Sequence, residues 1–238
     1  MLVIVDYHMG NHHSVKKKLD GLKVESIISS DPADILRADK LILPGVGHFG
    51  KAMENLRKLN LIDALNEAVL VKKTPILGIC LGMQLMAKSS EEGISTDARC
   101  TSENNPRSSS EVEPRTSRCI EPVEMSEVEM GLGWFDAEVL KFKVNDTLRF
   151  KVPHTGWNSI SIEKESTLMH DIPADAKFYF VHSFYFKPNN EEDVLNYTDY
   201  ESRFASAVSK DTIYGVQYHP EKSHDVGLLL LKNFLELS

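Results

Sequence analysis

The feature that most narrows the fold is an alternation confined to the first 90 residues. Short apolar runs at 2–5, 24–28, 40–43 and 75–80 are separated by segments whose apolar residues recur at helical spacing. Strand and helix in regular succession require crossover connections, which wrap a parallel sheet with helices on its faces. Between the runs, Val15, Leu19 and Leu22 fall at i, i+4 and i+7 after a Gly10-Asn11 turn, with Ser14 placed to cap. Asp31-Pro32 reads as a helix start; Phe49, Met53, Leu56 and then Leu61, Leu65, Ala68, Val69 mark two further helical faces. The third run ends abruptly at Pro44-Gly45-Val46-Gly47, and the fourth gives way to helical periodicity at Leu81.

Downstream the runs shorten and read as strands at 137–142, 159–162, 178–186, 204–208 and 213–218, before a closing helix at 226–237. The expectation is therefore an α/β chain around a mixed central sheet whose later strands include antiparallel hairpins. At 238 residues, one α/β domain spanning 1–238 with an insertion accounts for the length. The insertion is the stretch at about 93–129, rich in Ser, Glu, Arg and Pro. It repeats with period eight from Pro106, Pro114 and Pro122, each unit ending in Glu. Such a composition buries too little apolar surface to order itself, which predicts a mobile surface insertion; a partner-binding or regulatory element is the alternative.

Composition excludes several functions. A net charge of -8 without a dense basic run is wrong for a nucleic-acid surface. Cys80, Cys100 and Cys119 are odd in number and unpaired in spacing, against a disulfide framework or a zinc site, and a reducing cytoplasm is expected. No run approaches the roughly 18 apolar residues of a membrane span, and the opening residues lack a signal pattern, so neither membrane nor export is expected.

Three features carry chemistry. Gly78-Ile79-Cys80-Leu81-Gly82 sets a cysteine between glycines at a strand-to-helix junction, where a helix N-terminus favours thiolate. Read alone, Cys80 is either a nucleophile or an inert core thiol. His219-Pro220-Glu221 follows the strand at 213–218; if extended, His219 and Glu221 point the same way, as general base and orienter, and otherwise they are a surface pair. The glycines of Pro44-Gly45-Val46-Gly47 let backbone N–H groups approach an oxyanion. All three belong at the carboxyl ends of strands, where open α/β sheets bind ligands.

GICLGMQL from Gly78, with HPEKS from His219, resembles the class I, triad-type glutamine amidotransferases. PGVGHFGKAM, KVPHTGWN, YFVHSF and GVQYHPEKS extend the resemblance to the branch serving imidazole glycerol phosphate synthases. It covers nearly the whole chain outside the insertion. The resemblance implies a flavodoxin-like three-layer fold, no cofactor and no metal, and hydrolysis of glutamine. Ammonia would pass through a tunnel to an imidazole glycerol phosphate cyclase subunit of (β/α)8 fold, in a heterodimer of histidine biosynthesis. By motif it assigns Cys80, His219 and Glu221 to the triad, and Val46, Gly47 and Leu81 to the oxyanion site. Gln84, Ser183 and Phe184 would contact glutamine, and Asn11 and Lys222 would meet the partner. Without the motif, Gln84 on a helix reads as solvent-facing.

The chain departs from the family at Tyr7-His8-Met9-Gly10-Asn11, where the pattern is tyrosine–glycine–x–glycine–asparagine. His8, His12 and His13 suggest a metal site that no carboxylate or cysteine of the sequence evidently completes. Two other functions remain open: a glutaminase for a sugar-amidating synthetase of surface polysaccharides, and an inactive docking protein whose insertion blocks the site.

Overall fold

A computed structural model of the chain describes residues 1–92 and 128–237. Its first half follows the alternation closely: β1 (Leu2–Val5), α1 (His12–Gly21), β2 (Ser26–Ser29), α2 (Pro32–Arg37), β3 (Lys40–Gly45), α3 (Phe49–Lys58), α4 (Leu61–Asn66), β4 (Ile76–Cys80) and α5 (Leu81–Leu85). A π-helical turn, Glu67–Val71, prolongs α4. Local chemistry sets the helix starts. Asn11, not Ser14, caps α1, its side chain accepting from the Ser14 N–H at 3.3 Å. Asp31 caps α2 through the Ala33 N–H, with Pro32 in the first turn where its missing N–H costs nothing.

The remaining elements are β5 (Ser89–Ser90), β6 (Glu129–Met130), β7 (Ala137–Lys141), β8 (His154–Ser159), β9 (Ser161–Ile162), β10 (Lys177–His182), β11 (Phe184–Pro188), β12 (Val194–Tyr200), β13 (Ser202–Lys210), β14 (Ile213–Val216) and α6 (His224–Glu236). The main sheet runs β2-β1-β3-β4-β14-β13-β11-β7-β5-β6, with β12 on β13 and β9 on β12; β8 and β10 pair separately. From β2 to β14 every neighbour is parallel, and beyond β14 the pairing turns antiparallel at β13, β11 and β7.

Strand alternation splits the core between the two faces. Val3, Val5, Leu41 and Leu43 pack with Ile35, Phe49, Met53 and Leu65 of α2, α3 and α4. Leu2, Ile4, Ile42 and Ile79 pack on the opposite face with Val15, Leu19, Leu230 and Phe234 of α1 and α6, and with Phe178 and Phe180 of β10. This is the flavodoxin-like three-layer α/β fold, its mixed central sheet parallel through the body that carries the site.

Several expectations need correction. The run at 178–186 is two strands in different sheets, broken at Ser183, whose carbonyl accepts from the Phe142 N–H. Strands β8 and β12 lie where no strand is expected at 154–158 and 194–200, because Gly156, Asn158, Asn196 and Asp199 dilute their apolar pattern. Glu129, placed in the insertion by composition, pairs in β6 with Ser90. The period-eight repeat, Cys100 and Cys119 lie outside the described residues.

Candidate active site

The parallel order brings three distant segments together. Gly45 is in register with Cys80 across β3 and β4, and Ile79 with Val216 across β4 and β14. The turn after β3, the elbow after β4 and the segment leaving β14 therefore emerge side by side. A cavity of about 440 Å³ opens there, lined by Val46, Gly47, Cys80, Leu81, Gln84, Glu92, Pro153, Val181, His182, Ser183 and Phe184. Of the expected substrate and oxyanion residues, every one borders it.

Cys80 turns the chain from strand into helix at φ 54° and ψ -108°, a conformation disfavoured for any residue bearing a β-carbon. Close packing holds it there. A β-carbon on Gly82 would collide with the Leu43 carbonyl oxygen, so only glycine lets α5 lie against β3. The Cys80 sulfur lies 3.9 Å from the Val181 carbonyl oxygen, with its residue 5% exposed. Leu81 opens α5, so its N–H has no intrahelical acceptor. Gly47 has φ 113°, and Val46 beside it is 40% exposed in the cavity mouth.

His219 and Glu221 converge as expected, by a different local route. Only His219 is extended; Pro220–Lys222 forms a 3-10 turn that folds the carboxylate back beneath the ring. His219 Nδ1 stands 2.8 Å from Glu221 Oε1, with both side chains buried. A carboxylate oxygen accepts, so the Nδ1 proton fills this bond and Nε2 is left for the site. Nε2 makes no hydrogen bond of ordinary geometry. Burial pulls the imidazole down, but the nearby Cys80 sulfur and then Glu221 outweigh it, raising His219 to about 9. Ser223 anchors the turn: its hydroxyl donates to the His219 carbonyl at 2.6 Å and accepts from the Tyr179 N–H of β10.

Gln84 is buried, not solvent-facing. Its amide donates to the Phe184 carbonyl at 3.0 Å and to Gln217 Oε1 at 2.9 Å. Phe184 O also meets His182 Nδ1 at 2.7 Å, and His182 Nε2 meets His154 Nδ1 at 3.1 Å. Because a carbonyl only accepts, His182 carries its proton on Nδ1 and receives one from His154. Both rings are buried, which pushes His182 down to about 3 and His154 to about 4.

Sequence reasoning missed Glu92, Gln217 and Ser223. Glu92 lines the cavity and accepts the Phe49 N–H at 2.8 Å, capping α3, whose own N-cap residue His48 makes no side-chain bond. Burial pushes its carboxyl up. Gln217 and Ser223 stand inside the GVQYHPEKS motif, which was the available signal. Lys222 is exposed, its Nζ 5.6 Å from the Tyr179 ring centroid; Trp157, 46% exposed, stacks on His224 nearby. A carboxylate does approach the histidine cluster: Asp6 stands 3.7 Å from His8 and 3.6 Å from His12. Among the described residues no group of three or more such side chains converges on a metal-sized space.

A cysteine on an elbow, an imidazole held by a carboxylate and a glycine-rich neighbour have the arrangement that acyl transfer through sulfur requires. The profile of the family Glutamine amidotransferase class-I matches residues 3–237, and the chain belongs to that family. It is 42% identical over 236 residues to imidazole glycerol phosphate synthase subunit HisH 2 of Methanococcus maripaludis, covering 99% of both chains. It is 38% identical to subunit HisH 2 of Pseudomonas aeruginosa, covering 100% of both. These relatives match it in length, so the stretch read as an insertion adds none relative to them. The fold resembles a crystal structure of a glutamine amidotransferase at 16% identity and TM-score 0.65, covering 98% of this chain and 97% of that one. A glutamine amidotransferase of Thermotoga maritima gives 15% identity, TM-score 0.57, and coverages of 99% and 90%.

Proposed function

We propose that this chain is the glutaminase subunit of an imidazole glycerol phosphate synthase, a single cytoplasmic domain over 1–238 that releases ammonia for a cyclase subunit of (β/α)8 fold. The observation that carries the reading is the buried His219–Glu221 pair beside Cys80, whose residue lines a cavity of about 440 Å³. Cys80 Sγ attacks the side-chain amide carbon of glutamine, and His219 Nε2 takes the thiol proton. Backbone N–H groups at Val46, Gly47 and Leu81 receive the oxyanion. His219 passes the proton to the departing nitrogen, ammonia leaves, and a γ-glutamyl thioester remains. Water, deprotonated by the same imidazole, then releases glutamate and restores the thiol. Glu221 holds the ring through both halves.

Glu92, which also lines the cavity, offers a carboxylate to the ammonium of the substrate, while Gln84, Ser183 and Phe184 hold its amino-acid end. Asn11 and Lys222 contact the cyclase, Lys222 within the exposed patch that includes Trp157 and His224. The full-length relatives carry the name of imidazole glycerol phosphate synthase, which supports the acceptor. A sugar-amidating synthetase is the other acceptor the sequence leaves open; the two Methanococcus maripaludis relatives, 42% and 36% identical to this chain, both carry the name of imidazole glycerol phosphate synthase. Glutamate release, measured for the chain alone and with a cyclase subunit plus its nucleotide substrate, decides between them. Strong stimulation is expected; none, from a chain whose Cys80 still reacts with a glutamine-like electrophile, would overturn the histidine-pathway acceptor.

A further inference from the structure

Gln217 has no part in the scheme above, yet it is wholly buried and its Nε2 lies 3.6 Å from the Cys80 sulfur. Register explains the approach. Val216, the last residue of β14, pairs with Ile79, so the residues that follow each, Gln217 and Cys80, stand side by side at the end of the sheet. The Gln217 backbone N–H is fixed by the Ser206 carbonyl at 2.9 Å, and burial together with the bond from Gln84 holds the side chain.

Which end of the amide faces the sulfur follows from the neighbours. Phe184 O can only accept, so Gln84 must present its NH2 there. The second hydrogen of that NH2 points at Gln217, which must answer with Oε1. Gln217 Nε2 is thereby turned to the sulfur, and donation into its Oε1 polarises the amide toward stronger donation. The chain of donors runs one way and ends on the nucleophile.

We infer that Gln217 is a further catalytic residue, an amide donor that holds the Cys80 sulfur in its attacking position and stabilises it as thiolate while His219 carries the proton. A sulfur in a cavity wall has few partners: the Val181 carbonyl offers only an acceptor, useful to the thiol and not to the anion. Gln217 supplies the donor that the anion needs. Hydrogen bonds to charged groups are the stronger kind, so losing this one is felt at the sulfur more than in the fold.

The inference rests on Cys80 being the nucleophile, and the test separates the two. In the full chain carrying Cys100→Ser and Cys119→Ser, Cys80 alkylation by chloroacetamide at neutral pH is followed by mass spectrometry. Gln217→Met, close in volume and without an N–H, is expected to slow alkylation about ten- to hundredfold. Gln217→Asn, whose amide falls one carbon short, is expected to behave alike if the methionine variant does not fold. Gln84→Met, which removes the donor that orients and polarises the Gln217 amide but keeps its Nε2, is expected to slow alkylation less than Gln217→Met does, while KM for glutamine rises. A folded Gln217 variant reacting at the parental rate would overturn the inference. So would equal slowing by Gln84→Met, since collapse of the amide network explains that equally. Retained glutamine hydrolysis in Cys80→Ser would instead overturn the nucleophile assignment, whatever the alkylation rates.

Discussion

At the scale of single residues, the site depends on where protons are held. Glu221 keeps the His219 proton on Nδ1 and helps raise the ring to about 9. Glu221→Gln should lower kcat for glutamine hydrolysis about 10²- to 10⁴-fold with the fold intact. NMR titration of the His219 ring should show its pKa lowered; an unmoved value would remove Glu221 from the orienting role. Cys80, His219 and Glu221 were legible because each sits in a short motif with its own chemistry. Gln84 was legible only through its motif, because helical position alone does not tell a buried amide from an exposed one; its partners, Phe184 and Gln217, are about 100 residues or more away. Asn11 displaced Ser14 as the cap of α1 because the helix begins three residues earlier than the apolar spacing suggested.

At the scale of elements, the elbow and the β8–β10 ladder each make a stability claim. Gly82→Ala forces α5 off the Leu43 carbonyl and should cost about 2–3 kcal/mol or more, read as a lower midpoint in urea unfolding. An unchanged midpoint would mean the helix is not closely seated. His154 and His182 are cross-strand partners in that ladder, buried and neutral. Their folded values, about 4 and about 3, lie below the unfolded histidine value of about 6.5, so the unfolded chain binds more protons between these limits. Stability is full above about pH 6.5 and falls as pH drops, by up to about 2.7 kcal/mol per pH unit when both titrate together. Melting curves from pH 7 to 4 check this; a flat response would show the pair already charged in the fold. His219 acts in the opposite sense, its contribution present below about pH 6.5 and lost toward pH 9. The ladder itself escaped the sequence because β8 alternates around Gly156 and Asn158, and because 178–186 is aromatic-rich on both sides of the break at Ser183.

At the scale of the whole molecule, the parallel body was readable because each βα unit carries its own periodicity and caps. The antiparallel half was readable only as scattered strands, since its pairing is settled by contacts between residues far apart, as when β14 inserts beside β4. That insertion makes the site: it delivers His219 and Gln217 to a cysteine more than 130 residues earlier. The order of strands thus converts three separate motifs into one cavity, and the central claim is that this cavity forms a glutamyl thioester on Cys80. The direct test is intact and peptide mass analysis after acid quench of the chain turning over glutamine with its cyclase partner. One glutamyl group on the peptide containing Cys80, absent from Cys80→Ser, is the predicted result. Glutamate released in a first turnover with no adduct on Cys80, or with the adduct on another residue, would contradict the account.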